Sequence, residues 1–166
     1  MKHSPNTLRS RYHSRLGSMT LAASNSQLVG VWFDGQKHQP DPGAWPTSSS
    51  DPILQACAEQ LDEYFGGARS RFDLPLQLDL GTAFQQQVWR ALLSIPSGTT
   101  VSYRKLSQGI GKPLAVRAVA SAVGRNPFSI LVPCHRVLGS DGSLTGYAGG
   151  LDRKRELLLH EDALKQ

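Results

Sequence analysis

The densest group of reactive side chains in the sequence is Pro133-Cys134-His135-Arg136-Val137, preceded by the apolar run Phe128-Ser129-Ile130-Leu131-Val132. A thiol reacts as its thiolate, and with an unperturbed pKa of about 8.5 only a small fraction is ionised at neutral pH. Neighbours that take the proton or supply positive charge lower that barrier, and His135 and Arg136 are the adjacent candidates. The pattern reads as an apolar strand that delivers Cys134 to an abrupt turn. The second cysteine, Cys57, lies in the apolar stretch Ile53 to Phe65 and reads as a small buried hydrophobe. Neither cysteine has a companion at metal-ligand spacing, so no metal site is expected. A reducing compartment would also oppose a disulfide.

The elements that must position Cys134 follow from periodicity. Thr82 to Ile95 carries Phe84, Val88, Ala91, Leu92 and Ile95 at helical spacing, with Thr82 as N-cap and Gln85 in the capping-box position. Pro96-Ser97-Gly98 ends it. Ser102 can cap a short helix through Leu106 and Ile110, which Gly111-Lys112-Pro113 breaks, and a third helix runs from Leu114 to about Val123. Helix, short turn with glycine, helix is the helix-turn-helix pattern, although purely structural helical hairpins share it. The third helix is rich in small residues (Ala115, Ala118, Ala120, Ser121, Ala122), with Arg117 the one long charged side chain among them. Small residues let a helix approach a neighbouring surface closely. One face must pack on the protein, and an arginine standing alone on the other suits entry into a DNA groove.

The first half reads differently. Leu16 to Ala23 and Gln27 to Phe33 flank the polar Ser24-Asn25-Ser26 as a hairpin. Asp34 to Asp51 is rich in Pro, Gly and Ser and reads as a surface loop. Ile53 to Phe65 is helical, with Leu54, Ala58, Leu61 and Phe65 on one face, and stops at Gly66-Gly67. A short extended stretch, Phe72 to Leu80, leads into the second half.

Charge divides along the same boundary. The chain carries 18 Lys and Arg against 13 Asp and Glu, a formal net charge of +5 in 166 residues. Residues 1–75 balance at seven against seven, so the remaining eleven basic and six acidic residues leave the whole excess in the second half. That is where a polyanion would dock. No apolar run approaches the roughly 18 residues of a membrane helix, and Met1 to Leu8 is polar, without a secretory h-region. The expectation is a cytoplasmic protein in contact with DNA and not with a membrane.

Pro133 to Val137, with Arg125-Asn126-Pro127 upstream and Gly146-Tyr147-Ala148-Gly149-Gly150 downstream, resembles the O6-alkylguanine-DNA alkyltransferases. Phe84-Gln85-Gln86-Gln87-Val88-Trp89, Ser102-Tyr103 and Ala115-Val116-Arg117-Ala118-Val119 match the same family in the same order. The likeness is strong from Thr82 to Glu161 and looser before it. It implies an α/β protein of two lobes. Residues 1–78 would form an N-terminal lobe with a small antiparallel sheet, ribonuclease H-like, and residues 79–166 a mostly helical lobe with the helix-turn-helix.

The resemblance also implies roles. Cys134 accepts an alkyl group from O6-alkylguanine in double-stranded DNA, and conceivably from O4-alkylthymine, in one irreversible turnover without a cofactor. His135 activates it through a water and is oriented by Glu161, a nucleophile-base-orienter arrangement. Because the O6 atom lies inside the duplex, the nucleotide must be flipped out. Arg117 then fills the gap, Tyr103 helps rotate the 3′ phosphate, and Ala118 and Arg125 complete the DNA face. Asn126 ties the recognition helix to the reactive segment, and Tyr147 donates its hydroxyl to the departing guanine. Ala148, Gly149, Val137 and Ser129 join Tyr147 in lining the base pocket, where Gly146, Gly149 and Gly150 suit close passage of a flat base. Ser129 stands where some relatives carry a proline. The implied species is a monomer, with cooperative assembly on DNA left open. Two other classes remain on the sequence alone: a helix-turn-helix regulator with Cys134 as an alkylation or redox sensor, and a cysteine hydrolase that turns over.

Overall fold

The structure is a computed structural model that describes residues 1–165. It is mixed α/β and divides into two compact units, the first made of residues 1–80 with 127–131, the second of residues 81–126 with the described residues from 132 onward.

The N-terminal unit holds a three-stranded antiparallel sheet of β1 (Leu8–Ser14), β2 (Gly17–Ser24) and β3 (Gln27–Phe33), in that order. The expected hairpin is β2–β3, and its tight turn places Asn25 and Ser26 at positive φ, 52° and 62°. The third strand, β1, was not visible in the periodicity. It is an edge strand of mostly half-exposed polar residues in which only Tyr12 is buried, the charged composition that protects a sheet edge from further pairing. Helix α1 (Pro52–Phe65) packs against the sheet and buries Leu54, Cys57, Leu61 and Tyr64. Asp51 caps it by accepting from the N–H groups of Ile53 and Leu54, and Tyr12 donates from β1 to Asp62 at 2.7 Å. Ala22, Val29 and Trp32 form a separate buried cluster with Trp45 and Leu80; a register shift between Ala22 and Ala23 leaves Val29 unpaired and breaks the alternation of β3 there. The stretch before residue 80 touches β3 through a bridge at Leu28 and Leu76, then forms a 3-10 turn over Leu78–Leu80.

The C-terminal unit contains α2 (Ala83–Leu92), α3 (Tyr103–Gly109), α4 (Val116–Gly124) and α5 (Leu151–His160), with a two-residue parallel pair, β4 (Val101–Ser102) and β5 (Val137–Leu138). The capping box of α2 is formed in full: Thr82 accepts from the Gln85 N–H, and the Gln85 side chain accepts from the Thr82 N–H. The helix ends at Leu92, three residues before the expected Ile95, because Pro96 disfavours the helical conformation in the residue preceding it; the chain continues in tight turns to Ile95. Ser102 caps α3 by accepting from Lys105. In the turn between α3 and α4, the backbone of Ser107 accepts from the Lys112 N–H, and its hydroxyl donates to the Lys112 carbonyl. Helix α4 packs on α2 and α3. Fully buried Trp89 of α2 donates its indole N–H to the Ala122 carbonyl of α4 at 2.9 Å.

One expected element is absent. Residues 128–132 are buried but do not form a strand of either sheet. Phe128 bridges Val31, the Ser129 N–H donates to the Val31 carbonyl at 2.8 Å, and Ile130 then turns to φ 73°. A β-branched residue there is a true outlier, and it prevents the run from staying extended. An apolar run of this length fits a buried strand and a buried irregular segment equally well.

Candidate active site

The abrupt turn at Cys134 is built by Pro133, at φ −81° and ψ 62°, with the Cys134 N–H donating back to the Val132 carbonyl at 2.8 Å. This is an inverse γ-turn. A 3-10 turn over Cys134–Arg136 follows, then β5. All three residues of that turn are buried.

Asn126, just past the end of α4, reaches this turn from its other side. Its Nδ2 donates to the Val132 carbonyl at 2.8 Å and to Cys134 Sγ at 3.2 Å. The opposite amide orientation would set oxygen against the Val132 oxygen, so the bonding network fixes which end faces sulfur. An N–H directed at sulfur favours the thiolate over the thiol. Burial nevertheless dominates and pushes the Cys134 thiol up, against the Asn126 bond, the charge of Lys154 and a backbone N–H. The resting sulfur is therefore protonated, contrary to a simple picture of a thiolate made by adjacent cations.

His135 is fully buried, and its Nε2 lies 2.8 Å from Glu161 Oε1. Burial alone would raise the Glu161 carboxyl, but its hydrogen bonds to Arg136 and His135 and the Arg136 charge hold it well below the usual carboxylate range. A carboxylate only accepts, so the proton of the neutral ring sits on Nε2. Burial lowers the His135 pKa more than Glu161 raises it, and Arg136 and Lys154 push it further down. The ring is thus neutral, with the lone pair on Nδ1, a buried atom that has no hydrogen-bond partner among the described residues.

Arg136 stands differently from the expectation that it helps charge the cysteine. It donates Nε to Glu161 Oε2 and Nη2 to Glu161 Oε1, both at 2.8 Å, and Nη1 to the Ile95 carbonyl at 2.6 Å. Its charge is matched by Glu161, and its third bond ties this pair to the turn that follows α2.

The loop after β5 carries Tyr147, half-buried, then Ala148 and buried Gly149. Gly146 and Gly150 take positive φ, 58° and 95°, and Gly150 precedes α5 in a conformation that only glycine adopts freely. Glycine is thus favoured at 150 by the backbone, whatever base passes nearby. Tyr103 at the start of α3 directs its hydroxyl to the Thr145 and Gly146 carbonyls at 3.2 and 3.1 Å. It is tied to this loop rather than extended from the surface.

On α4, Val119, Ala122 and Val123 are buried, whereas Arg117, Ala118, Ser121 and, just beyond, Arg125 are exposed. Those four follow helical spacing and share one face, which offers little besides the two arginines for reading base edges. Ser129 belongs to the N-terminal unit, where its hydroxyl donates to Gln36 Oε1 at 2.9 Å. Lys154 escaped the sequence reading altogether. Its signal was the stripe Lys154, Leu157, Leu158 and Glu161, spaced i, i+3, i+4 and i+7, which is the buried face of α5 continued past its end. Among the described residues no group of three or more His, Cys, Asp or Glu is placed to hold a metal ion. No helix there is long and apolar enough to cross a membrane.

Comparison with known proteins gives two domain matches. Residues 8–78 match "6-O-methylguanine DNA methyltransferase, ribonuclease-like domain", and residues 83–163 match "6-O-methylguanine DNA methyltransferase, DNA binding domain". A methylated-DNA–protein-cysteine methyltransferase of Mycobacterium tuberculosis is 47% identical over 146 residues, covering 87% of this chain and 86% of the relative. One from Methanosarcina barkeri is 45% identical over 150 residues, covering 90% and 93%. The crystal structure of the M. tuberculosis OGT in complex with DNA superposes with a TM-score of 0.85 at 42% identity, over 95% of this chain and 92% of that one.

Proposed function

The chain belongs to the 6-O-methylguanine DNA methyltransferase family, and on that premise we propose how its own residues carry out the repair of alkylated DNA. The protein is a methylated-DNA–protein-cysteine methyltransferase that moves the alkyl group from O6-alkylguanine in duplex DNA to one of its own cysteines. The acceptor is Cys134. Cys57 is the poorer candidate, buried in α1 with its thiol pushed up to about 12 by burial.

The observation that carries the assignment is the Asn126 amide 3.2 Å from the sulfur, in a buried turn whose next residue is a neutral imidazole with its Nε2–H held by Glu161. His135 takes the thiol proton on Nδ1, through a water. The sulfur attacks the alkyl carbon, the carbon–O6 bond breaks, and its electron pair leaves with guanine. Tyr147 donates its hydroxyl proton to the guanine as that charge develops. Asn126 stabilises the thiolate until it reacts. A thioether is not hydrolysed under mild conditions, so each protein molecule acts once.

The flipped nucleotide leaves a gap that Arg117 fills, with Ala118 letting the helix approach closely and Arg125 meeting a phosphate. Val137, Ala148 and Gly149 line the base pocket with Tyr147. Tyr103 braces the loop before Tyr147 and contacts the phosphate 3′ of the target. The protein acts in the cytoplasm as a monomer. Mixing it with duplex DNA containing O6-methylguanine and measuring peptide masses tests the reading. One methyl group on Cys134, in a yield limited to one per protein, is expected. Repeated turnover would instead indicate a hydrolase, and DNA binding without any adduct a regulator.

A further inference from the structure

The charge balance of residues 1–75 conceals an asymmetry within the N-terminal unit. Residues 1–33 carry Lys2, Arg9, Arg11 and Arg15 and no Asp or Glu; the first acid in the chain is Asp34. Strand β1 sets Arg9, Arg11 and His13 at alternate positions, so they share one face, and Tyr12, which reaches Asp62 of α1, marks the other. In the antiparallel register they stand opposite Ala22, Thr20 and Ser18. The strand thus presents a row of basic side chains about 6.8 Å apart, beside short neighbours that do not cover them. That spacing is comparable with the separation of neighbouring phosphates along one nucleic-acid strand.

A cleft of about 230 Å³ opens here, lined by Arg9, Ser10, Arg11, Thr20 and Thr47, with no carboxylate and no apolar side chain among them. Main chain fixes its wall. Arg9 pairs in parallel with Thr47, its N–H donating to the Pro46 carbonyl at 2.9 Å and its carbonyl accepting from the Ser48 N–H at 2.8 Å. The two arginines differ in their partners. Arg11 donates to Asp34, which also accepts from the Thr20 hydroxyl at 2.8 Å, so its charge is matched. Among the described residues Arg9 makes no ion pair, and its buried Nε has no hydrogen-bond partner. A buried donor left bare is costly, and at the wall of a polar cleft an acceptor from outside the chain must meet it.

We propose that this face of β1 is a second DNA contact, apart from the recognition helix, in which a backbone phosphate enters the cleft and accepts from Arg9. A guanidinium fork matches phosphate oxygens in geometry as well as charge, and the Ser10 and Thr47 hydroxyls are further donors at the same cleft. The basic groups form an extended row rather than a converging ring, which suits a polymer backbone better than one small anion. Phosphate contacts carry no sequence information, so this face strengthens binding to any duplex and holds the protein on undamaged DNA. That DNA is the source of the phosphate rests on the repair function proposed above; the surface itself uses no residue of α4 or of the reactive turn.

NMR of the arginine Nε–H groups in the full chain tests this directly. The Arg9 signal is identified by its loss in Arg9→Gln or, should that variant not fold, by side-chain correlation. On adding unmodified duplex the Arg9 signal should shift and saturate, and inorganic phosphate at the same phosphate concentration should not reproduce the shift. A signal that duplex leaves in place overturns the proposal. One that inorganic phosphate moves equally marks a small-anion site and overturns DNA as the occupant. Binding gives a second reading. Arg9→Gln should lower the slope of log affinity against log salt for unmodified duplex by about one. Arg71→Gln removes the same charge from an exposed position of the same unit and should leave the slope unchanged. An unaltered slope in Arg9→Gln, or an equal loss in Arg71→Gln, overturns the proposal. Methyl transfer from free O6-methylguanine base to Cys134 should be the same in Arg9→Gln and the unsubstituted protein. No methyl on Cys134 in either would sink the repair reading instead, with the Arg9 shift still standing.

Discussion

Arg136 grips Glu161 with two parallel N–H bonds of 2.8 Å in a buried pair, while Glu161 Oε1 also lies 2.8 Å from His135 Nε2. One carboxylate thus holds His135, the proposed base, and neutralises a buried arginine. The two tasks make Glu161 a structural and a chemical residue at once, and the same geometry explains why Arg136 cannot also serve as a free cation beside the sulfur.

Glu161→Gln should therefore lose stability as well as rate. A neutral amide leaves the Arg136 charge buried and unmatched, which costs about 3 kcal/mol. It also holds His135 less firmly and ceases to favour its protonated form, so proton removal from Cys134 becomes harder. Urea denaturation should show the loss of stability, and the apparent pKa of the Cys134 thiol should rise. A variant with unchanged denaturation midpoint and pH–rate profile would remove Glu161 from both roles.

The pH dependence has a worked sign. Burial lowers the His135 pKa below its unfolded value, so the unfolded chain binds more protons below about pH 6.5, and stability declines as pH falls through that window. Glu161 is held low, so its contribution is present above about pH 4.3 and is lost below it, in the same direction. The base must be neutral to act. The acid limb of single-turnover transfer should therefore have its midpoint below about 6.5. Rapid-quench measurements from pH 5 to 8 read it directly, and a midpoint above that value is incompatible with a neutral His135 as base.

Cys134→Ser should abolish transfer and leave duplex binding intact, since a hydroxyl is a far weaker nucleophile at neutral pH. Cys57 should not substitute. Its thiol, pushed up to about 12 in the interior of α1, leaves only about one molecule in ten thousand or fewer ionised at pH 7.5. Peptide mapping after long incubation with methylated duplex should find no methyl on Cys57; finding it there would reopen the assignment.

Much of this fold is legible in the sequence where local chemistry decides the structure. Thr82 with Gln85, Ser102, and the Gly111-Lys112-Pro113 break announce α2, α3 and the approach to α4, because caps and breakers are short-range signals. The parts that were not legible depend on distant partners. Strand β1 is polar because it lies at a sheet edge, and residues 128–132 look like a strand until Ile130 takes a positive φ. Glu161 acquired a role only through the family likeness, since nothing local separates it from a solvated carboxylate at a helix end. Lys154 was passed over because a lysine in a helix is ordinarily exposed, and its three carbonyl partners come from segments 8 to 17 residues away in the chain.

Trp89→Phe tests the packing beneath the DNA-facing helix. Trp89 is fully buried and donates to the Ala122 carbonyl. Phenylalanine keeps most of the apolar contact but leaves that carbonyl without its indole partner, and the smaller ring leaves space. A loss of about 2 kcal/mol is expected from the missing bond and the cavity. Chemical denaturation measures it. A change under 0.5 kcal/mol, the ordinary range for surface substitutions, would mean the α2–α4 bond contributes nothing.

Arg117→Ala tests the DNA-facing surface. Arg117 is exposed on α4 next to Ala118, on the face opposite Val119 and Val123, so its removal should leave the fold and the reactive turn as they are. Its proposed task exists only when a nucleotide has left a duplex, because only then is there a gap and an unpaired cytosine. Flipping costs a few kcal/mol, and a side chain that offsets part of that cost acts on duplex substrates alone. Transfer from methylated duplex should therefore slow by about tenfold or more, while alkylation by free O6-methylguanine base stays within about twofold. Salt dependence gives an independent reading. A mere phosphate contact would reduce the slope of binding against salt by about one and weaken all duplexes uniformly, whereas a gap-filling residue should affect methylated duplex more than unmodified duplex. Equal loss on free base and duplex would move Arg117 into the pocket or into the structure, and the proposal for this helix would fall with it.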